Sequence, residues 1–274
     1  MKASLRIVGT VAALGGFAAV VLATADGGGL SAPTAPSAPA TLVALLAALV
    51  GNNVLCAARW RLFLSPRPPL SDAVRRYSEA VFVAVVVPGG VGGDVYRSAQ
   101  SGIAPVVADR AIGGLVTLTA AGPALLLVGG AELWWIAAAA GVYAVLLAAF
   151  VVVRKRLVLT ARQLTGAVAL SVAYLASFAL VVAAVSAAVG VPPSFGWACA
   201  AAPLVAAAGM APSLNGLSPS YAVLTALLAQ RGAGSGAVTT AAALMLGIQL
   251  TAAGLGGLSL VLRRPRRVAA CVSS

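Results

Sequence analysis

A chain of 274 residues that is 61% hydrophobic and only 9% charged lacks the polar side chains to clothe a water-facing surface, since soluble domains carry roughly a quarter charged residues. Its mean hydropathy of +1.02 makes lipid its solvent. The net charge of +12 sits in short clusters between apolar runs, the pattern of cytoplasmic loops against an anionic leaflet and not of a nucleic-acid-binding face.

With no His and three widely spaced cysteines, Cys56, Cys199 and Cys271, neither His-based catalysis nor metal-ligand spacing has support, and no cofactor is expected. Backbone polar groups at membrane depth must be satisfied internally, which leaves helices or a closed barrel. The apolar runs are long and continuous, without alternating polarity. The chain therefore reads as an all-α integral membrane protein, a single transmembrane domain over residues 1–274.

The first apolar run, 7–24, follows Lys2 and Arg6. Its Ala23-Thr24-Ala25 end also fits a signal-peptidase site, so a span and a cleaved signal peptide both stand. A Pro/Ser/Ala-rich linker from Ser31 leads to the second span, 42–64, which carries Asn52 and Asn53 mid-helix and ends in Arg59-Trp60-Arg61. Trp beside Arg reads as an interfacial anchor on the cytoplasmic side. Between Tyr77 and Tyr96 only residues 80–87 are continuously apolar before Pro88-Gly89-Gly90-Val91-Gly92-Gly93 stops the helix. Spans follow at 112–129 and 133–153, the latter closed by Arg154-Lys155-Arg156, and a long one at 164–189. Two short apolar pieces, 197–211 and 221–230, flank Pro212-Ser213-Leu214-Asn215-Gly216, and a last span, 237–262, ends in Arg263-Arg264-Pro265-Arg266-Arg267.

Charge placement then fixes the path. With both termini in the cytoplasm, the arginine clusters fall inside only if the 77–96 segment enters and leaves on the cytoplasmic face. By the same parity the 197–230 pair enters and leaves on the opposite face, which puts Arg231 alone among the basic residues outside. The expected architecture is a polytopic helical bundle of about six full spans plus two re-entrant or broken hairpins. Halves of about 1–130 and 131–267 form an inverted repeat, the pattern of secondary transporters whose Gly/Pro-interrupted segments mark the binding site. A bundle with two kinked helices and no pathway is the alternative.

Four of the six acids fall between Asp72 and Asp109. Ionisable groups near membrane depth are costly and default to a functional reading. Asp94, Arg97, Asp109 and Arg110 flank the first hairpin, where Gly92 and Gly93 offer backbone N–H groups to a phosphate and Arg supplies charge to it. Asp94 either orients Arg97 or carries a coupling proton; alternatively, all four are interfacial charges reaching to water. Glu79 pairs with Arg75-Arg76 or relays protons. Asn52 and Asn53 make interhelical hydrogen bonds or touch substrate. Asn215 and Gly216 mark the deep point of the second hairpin. The Gly-rich run lacks the Lys-Ser/Thr ending of a nucleotide-binding loop.

Three stretches, Asn52–Leu64 (NNVLCAARWRLFL), VVVPGGVGGDVYR with the downstream VVADRAIGGL, and APSLNGLSPSYAVLTALL, resemble the lysylphosphatidylglycerol synthase transmembrane-domain (flippase-like) family. The middle block is the specific one. The resemblance spans nearly the whole chain and is to the membrane module alone, without the soluble aminoacyl-transfer domain of the two-part members, so lysyl transfer from tRNA is not expected. It implies a bacterial inner-membrane domain that moves a polar-headed lipid, an anionic phospholipid or a polyprenyl-linked one, between leaflets. Membrane lipids are the partners, a separate cytoplasmic transferase is a further one, and nucleic acid is not.

Carried across, Asp94 and Arg97 match the family's hairpin acid and Arg, and Asp109-Arg110 the acid-Arg pair after it. Where many members read Asn-Gly-x-Gly-x-Arg-Glu, this chain has Asn215-Gly216-Leu217-Ser218-Pro219-Ser220-Tyr221, without the second Gly, the Arg and the Glu. A membrane-embedded glycosyl or lipid-head transferase, or its accessory subunit, is the second function compatible with these residues, and a partner-stabilising scaffold is the third. Arg59 and Glu79 join Asn52 as secondary site candidates.

Overall fold

The computed structural model describes residues 38–87, 91–128, 133–154, 157, 159–210 and 219–262. Among these residues the regular structure is entirely helical. Helix α1 (Ala38–Leu49) passes through a π-helical turn (Val50–Leu55) into α2 (Cys56–Arg61), giving one continuous 24-residue rod. A pair of shorter helices follows, α3 (Leu70–Val86) and α4 (Gly92–Ser101), then α5 (Ile103–Val128), α6 (Leu133–Arg154) and α7 (Ala161–Ala188). A second short pair, α8 (Phe195–Ala208) and α9 (Pro219–Gln230), precedes α10 (Ser235–Leu262).

Local chemistry sets several of these ends. Val87 is extended (φ −92°, ψ 120°), the conformation imposed on a residue that precedes proline, and α3 stops there. Gly102 closes α4 at φ 81°, a backbone region that favours glycine. Thr160 and Gln163 cap each other's backbone at the start of α7, a reciprocal capping box.

Four described stretches, Ala38–Arg61, Ile103–Leu125, Ala161–Ala188 and Ser235–Leu262, are long and apolar enough to cross a bilayer, so this is a multi-pass membrane protein. Of the other two expected spans, 7–24 lies outside the described residues. The 133–153 run is the 22-residue helix α6, whose described apolar stretch is Ala140–Val152. Outward-facing Val145, Val172 and Leu258 are each more than 40% exposed, a liability in water and a natural surface in lipid.

One boundary differs from the sequence reading in a way that matters. Helix α5 begins at Ile103, not at 112, so Asp109 and Arg110 lie within a membrane-length helix instead of ahead of it. A sequence window ends the span at the charges; the fold carries it through because partners from other helices neutralise them.

The packing is reciprocal. Helices α1 and α7 lie together, α3 packs on α10, and α8 packs on α5. One helix of each short pair thus rests on a long helix from the other half of the chain. Gly256 makes the α3–α10 contact close, because a Cβ there would overlap the Ser78 carbonyl. The main core lies where α7, α8 and α9 meet, around the fully buried Val182, Val185, Val205, Leu224 and Leu228.

Candidate functional site

Five charged side chains from three helices form a linear chain that runs from the interior of the bundle to its surface. Arg59, in the last turn of α2, donates through Nε to Asp109 Oδ1 of α5 at 2.7 Å. The other carboxylate oxygen of Asp109 accepts from Arg97 Nη1 of α4 at 2.8 Å. Arg97 Nη2 donates to Asp94 Oδ1, and both Asp94 oxygens accept from Arg110 Nε, at 2.9 and 3.1 Å. The order is Arg59–Asp109–Arg97–Asp94–Arg110.

Helical geometry explains who meets whom. Asp94 and Arg97 stand three apart on α4 and so share a face. Asp109 and Arg110 are neighbours on α5 and point about 100° apart, one inward and the other to Asp94. Gly113, one turn beyond Asp109, leaves room for the guanidinium: a Cβ there would stand 2.6 Å from Arg59 Nη1. Ser171 on α7 accepts from Arg59 Nη1 at 3.1 Å, tying the chain to a fourth helix. The Arg97 guanidinium lies 4.8 Å from the Tyr77 ring centroid and 5.7 Å from that of Trp60, within cation–π range of both.

Exposure falls steeply along the chain. Side-chain exposure is 52% for Arg110 and 32% for Asp94, but 2% for Arg97 and 0% for Asp109. Charges so enclosed persist only when paired and hydrogen-bonded, and Asp109 is paired at both oxygens. Three guanidiniums against two carboxylates leave the chain with one positive charge in excess. Two cations next to Asp94 also favour its ionised form, which suits an orienting group better than a proton carrier.

A second buried acid stands at the junction of α3, α4 and α10. Glu79 is fully buried, accepts from the Tyr96 hydroxyl at 2.7 Å, and lies 3.5 Å from Ser259 Oγ. Tyr96 precedes Arg97, so α4 presents consecutive residues to two polar centres. Arg75 pairs with Asp72 at 3.1 Å on the surface.

Several expectations change here. Of the four charges with an interfacial alternative, Arg97 and Asp109 are buried and ion-paired, and the Arg59-Trp60 pair, expected at an interface, is buried beside them. The Asp109-Arg110 doublet is split between different partners. Gly92 and Gly93 are buried where α4 meets α3; a Cβ on Gly93 would stand 2.6 Å from the Ala80 carbonyl oxygen. Asn52 and Asn53 fall in the π turn, a distortion frequent at functional sites. Asn53 is buried, and its Oδ1 has no hydrogen-bond partner among the described residues. Asn215 and Gly216 lie outside the described residues. In the second short pair the Tyr221 hydroxyl donates to Gln249 of α10, a neutral contact.

Ser171, Gly113 and Tyr77 join the site without having been singled out by sequence. Ser171 shares its apolar span with Ser177 and Ser186, so nothing in the sequence sets it apart. Among the described residues no three His, Cys, Asp or Glu side chains gather as a metal set. Comparison of the chain with protein-family models, with curated proteins and with solved structures finds no match.

Proposed function

We propose that this chain is a lipid flippase-like transporter that moves a polar-headed lipid, an anionic phospholipid or a polyprenyl-linked one, between the leaflets of a bacterial inner membrane. The observation that carries the reading is the buried ion chain with its one unbalanced positive charge, built into a bundle of membrane-length helices. Moving a charged head through hydrocarbon is costly, and a polar path between helices lowers that barrier. The head rests against the Arg97–Arg110 end while the acyl chains stay in lipid.

Reciprocal packing supports the inverted repeat. Exchanging α1–α2 with α7, α3–α4 with α8–α9, and α5 with α10 turns the α3–α10 contact into the α8–α5 contact and leaves α1–α7 paired with itself. In the proposed topology six spans cross the membrane, both termini lie in the cytoplasm, and the two short pairs enter from opposite faces. Alternating access then comes from rocking one half against the other. The resemblance to the flippase-like family, carried by the block around Asp94, Arg97 and Asp109, points the same way.

The test is leaflet-resolved movement of a tail-labelled anionic lipid in proteoliposomes. Movement faster than in empty vesicles supports the reading, and its loss in Arg110→Gln, at the half-exposed end, assigns it to the ion chain. Equal rates in empty vesicles and with wild type would remove it.

A further inference from the structure

The ion chain holds two carboxylates, each between two guanidiniums, and they differ in exposure. Asp109 is enclosed, whereas Asp94 stands at the open end, with a third of its side chain exposed beside a half-exposed Arg110. Its inner partner does not need it to keep its place. Arg97 is held independently by Asp109 at 2.8 Å and by the adjacent rings of Tyr77 and Trp60, whose centroids lie 4.8 and 5.7 Å from its guanidinium carbon. Arg110 is carried on α5, with its half-exposed guanidinium paired to Asp94.

Arg97 Nη2 and Arg110 Nε, from two helices, converge on the one Asp94 carboxylate, so turning that side chain toward water frees both donors for another anion. Guanidinium donors that accept a carboxylate also accept a phosphate. Without Asp94 the remaining chain, Arg59, Asp109, Arg97 and Arg110, carries two positive charges in excess, and a phosphate restores the balance that Asp94 supplies at rest.

We propose that Asp94 is a built-in occupant of a phosphate seat formed by Arg97 and Arg110, and that a phosphate group enters when Asp94 swings out. The proposal rests on reading the ion chain as a headgroup site and adds to it the order of events at that site. The carboxylate keeps the two arginines paired while no head is present and returns when the head leaves. An internal competitor lowers apparent affinity by the fraction of time the seat is open, so removing its charge tightens binding.

The experiment titrates the purified full chain, in nanodiscs of phosphatidylcholine, with short-chain phosphatidic acid and separately with inorganic phosphate. Titration calorimetry reads wild type, Asp94→Asn, Asp94→Ser and Asp94→Asn with Arg110→Gln. The expected result is phosphatidic acid bound about tenfold tighter by Asp94→Asn and by Asp94→Ser than by wild type, as release of a competing ion pair implies, with the gain lost in the double variant. A gain with inorganic phosphate but not with phosphatidic acid keeps the seat and assigns it to free phosphate. Unchanged or weaker binding in both single variants overturns the proposal, as does a gain that survives Arg110→Gln. Tighter binding by Asp94→Asn in a protein that moves no lipid would sink the transport reading and leave the seat standing; lipid movement without that gain does the reverse.

Discussion

Arg59 and Asp109 lie fifty residues apart in sequence and meet at 2.7 Å, one at the end of α2 and the other within α5, with Arg97 closing on the second carboxylate oxygen at 2.8 Å. This contact holds two membrane-length rods together through a pair with almost no access to solvent. Removing Asp109 leaves the Arg59 charge uncompensated where neither water nor lipid can solvate it, and takes a partner from Arg97.

Asp109→Asn is therefore expected to destabilise the protein by about 3–5 kcal/mol, the usual cost of breaking a buried pair by deleting one partner. Asp72→Asn, which breaks the surface pair with Arg75, is expected to cost less than about 1 kcal/mol. Thermal unfolding of the two variants in the same detergent checks the difference, and equal shifts would contradict the burial of Asp109.

Gly113 tests the same contact from the other side. Because a Cβ there would stand 2.6 Å from Arg59 Nη1, Gly113→Ala displaces the guanidinium without altering any charge. The expected loss is about 1–3 kcal/mol, as for other overpacked sites. Gly122→Ala on the same helix, where an added Cβ meets nothing within 4 Å, is the control and is expected to leave stability unchanged or raise it.

The α3–α10 approach makes a separate prediction. Gly256→Ala forces a methyl into the Ser78 carbonyl and pushes the last helix away from the first hairpin. A loss of about 1–3 kcal/mol is expected. Tyr96→Phe, which takes a donor from the buried Glu79 at the same junction, is expected to cost about 1–3 kcal/mol by leaving that carboxylate less well satisfied. Both are read by thermal unfolding, and wild-type stability in either variant would show that the junction is looser than described.

Arg97 serves two carboxylates through separate nitrogens while its guanidinium carbon lies 4.8 and 5.7 Å from two ring centroids. Lysine supplies one compact charge and cannot reproduce that arrangement. Arg97→Lys is expected to lower lipid movement about tenfold or more, since one charge-assisted hydrogen bond is worth about 1.5–3 kcal/mol. Retention of the full rate by the lysine variant would mean that charge alone suffices there.

Which parts of this were readable from the sequence follows from the range of the interactions. The break between α3 and α4 is local, written in Pro88 and the glycines after it, and so is the shared face of Asp94 and Arg97 three residues apart. The membrane-length helices follow from their apolar runs. The burial of Arg59 is not local: beside Trp60 and Arg61 it reads as a helix end at an interface, and only Asp109, Gly113 and Ser171, from two other helices, make a buried place for it. The start of α5 at Ile103 is hidden for the same reason, because Asp109 ends an apolar span until Arg59 and Arg97 are set against it. The role of the glycines changes likewise, from exposed backbone donors to the close fit of α4 on α3.

The central claim is that this buried, net-positive chain of side chains handles an anionic lipid head. Its most direct measurement is the ratio of leaflet-to-leaflet rates for an anionic and a zwitterionic lipid with identical labelled tails, in proteoliposomes of wild type and Arg97→Ala. The account predicts a wild-type ratio well above one that falls to about one in the variant, both read on protein whose unfolding transition shows it folded. A ratio near one in wild type, or a ratio that Arg97→Ala leaves unchanged, would contradict it.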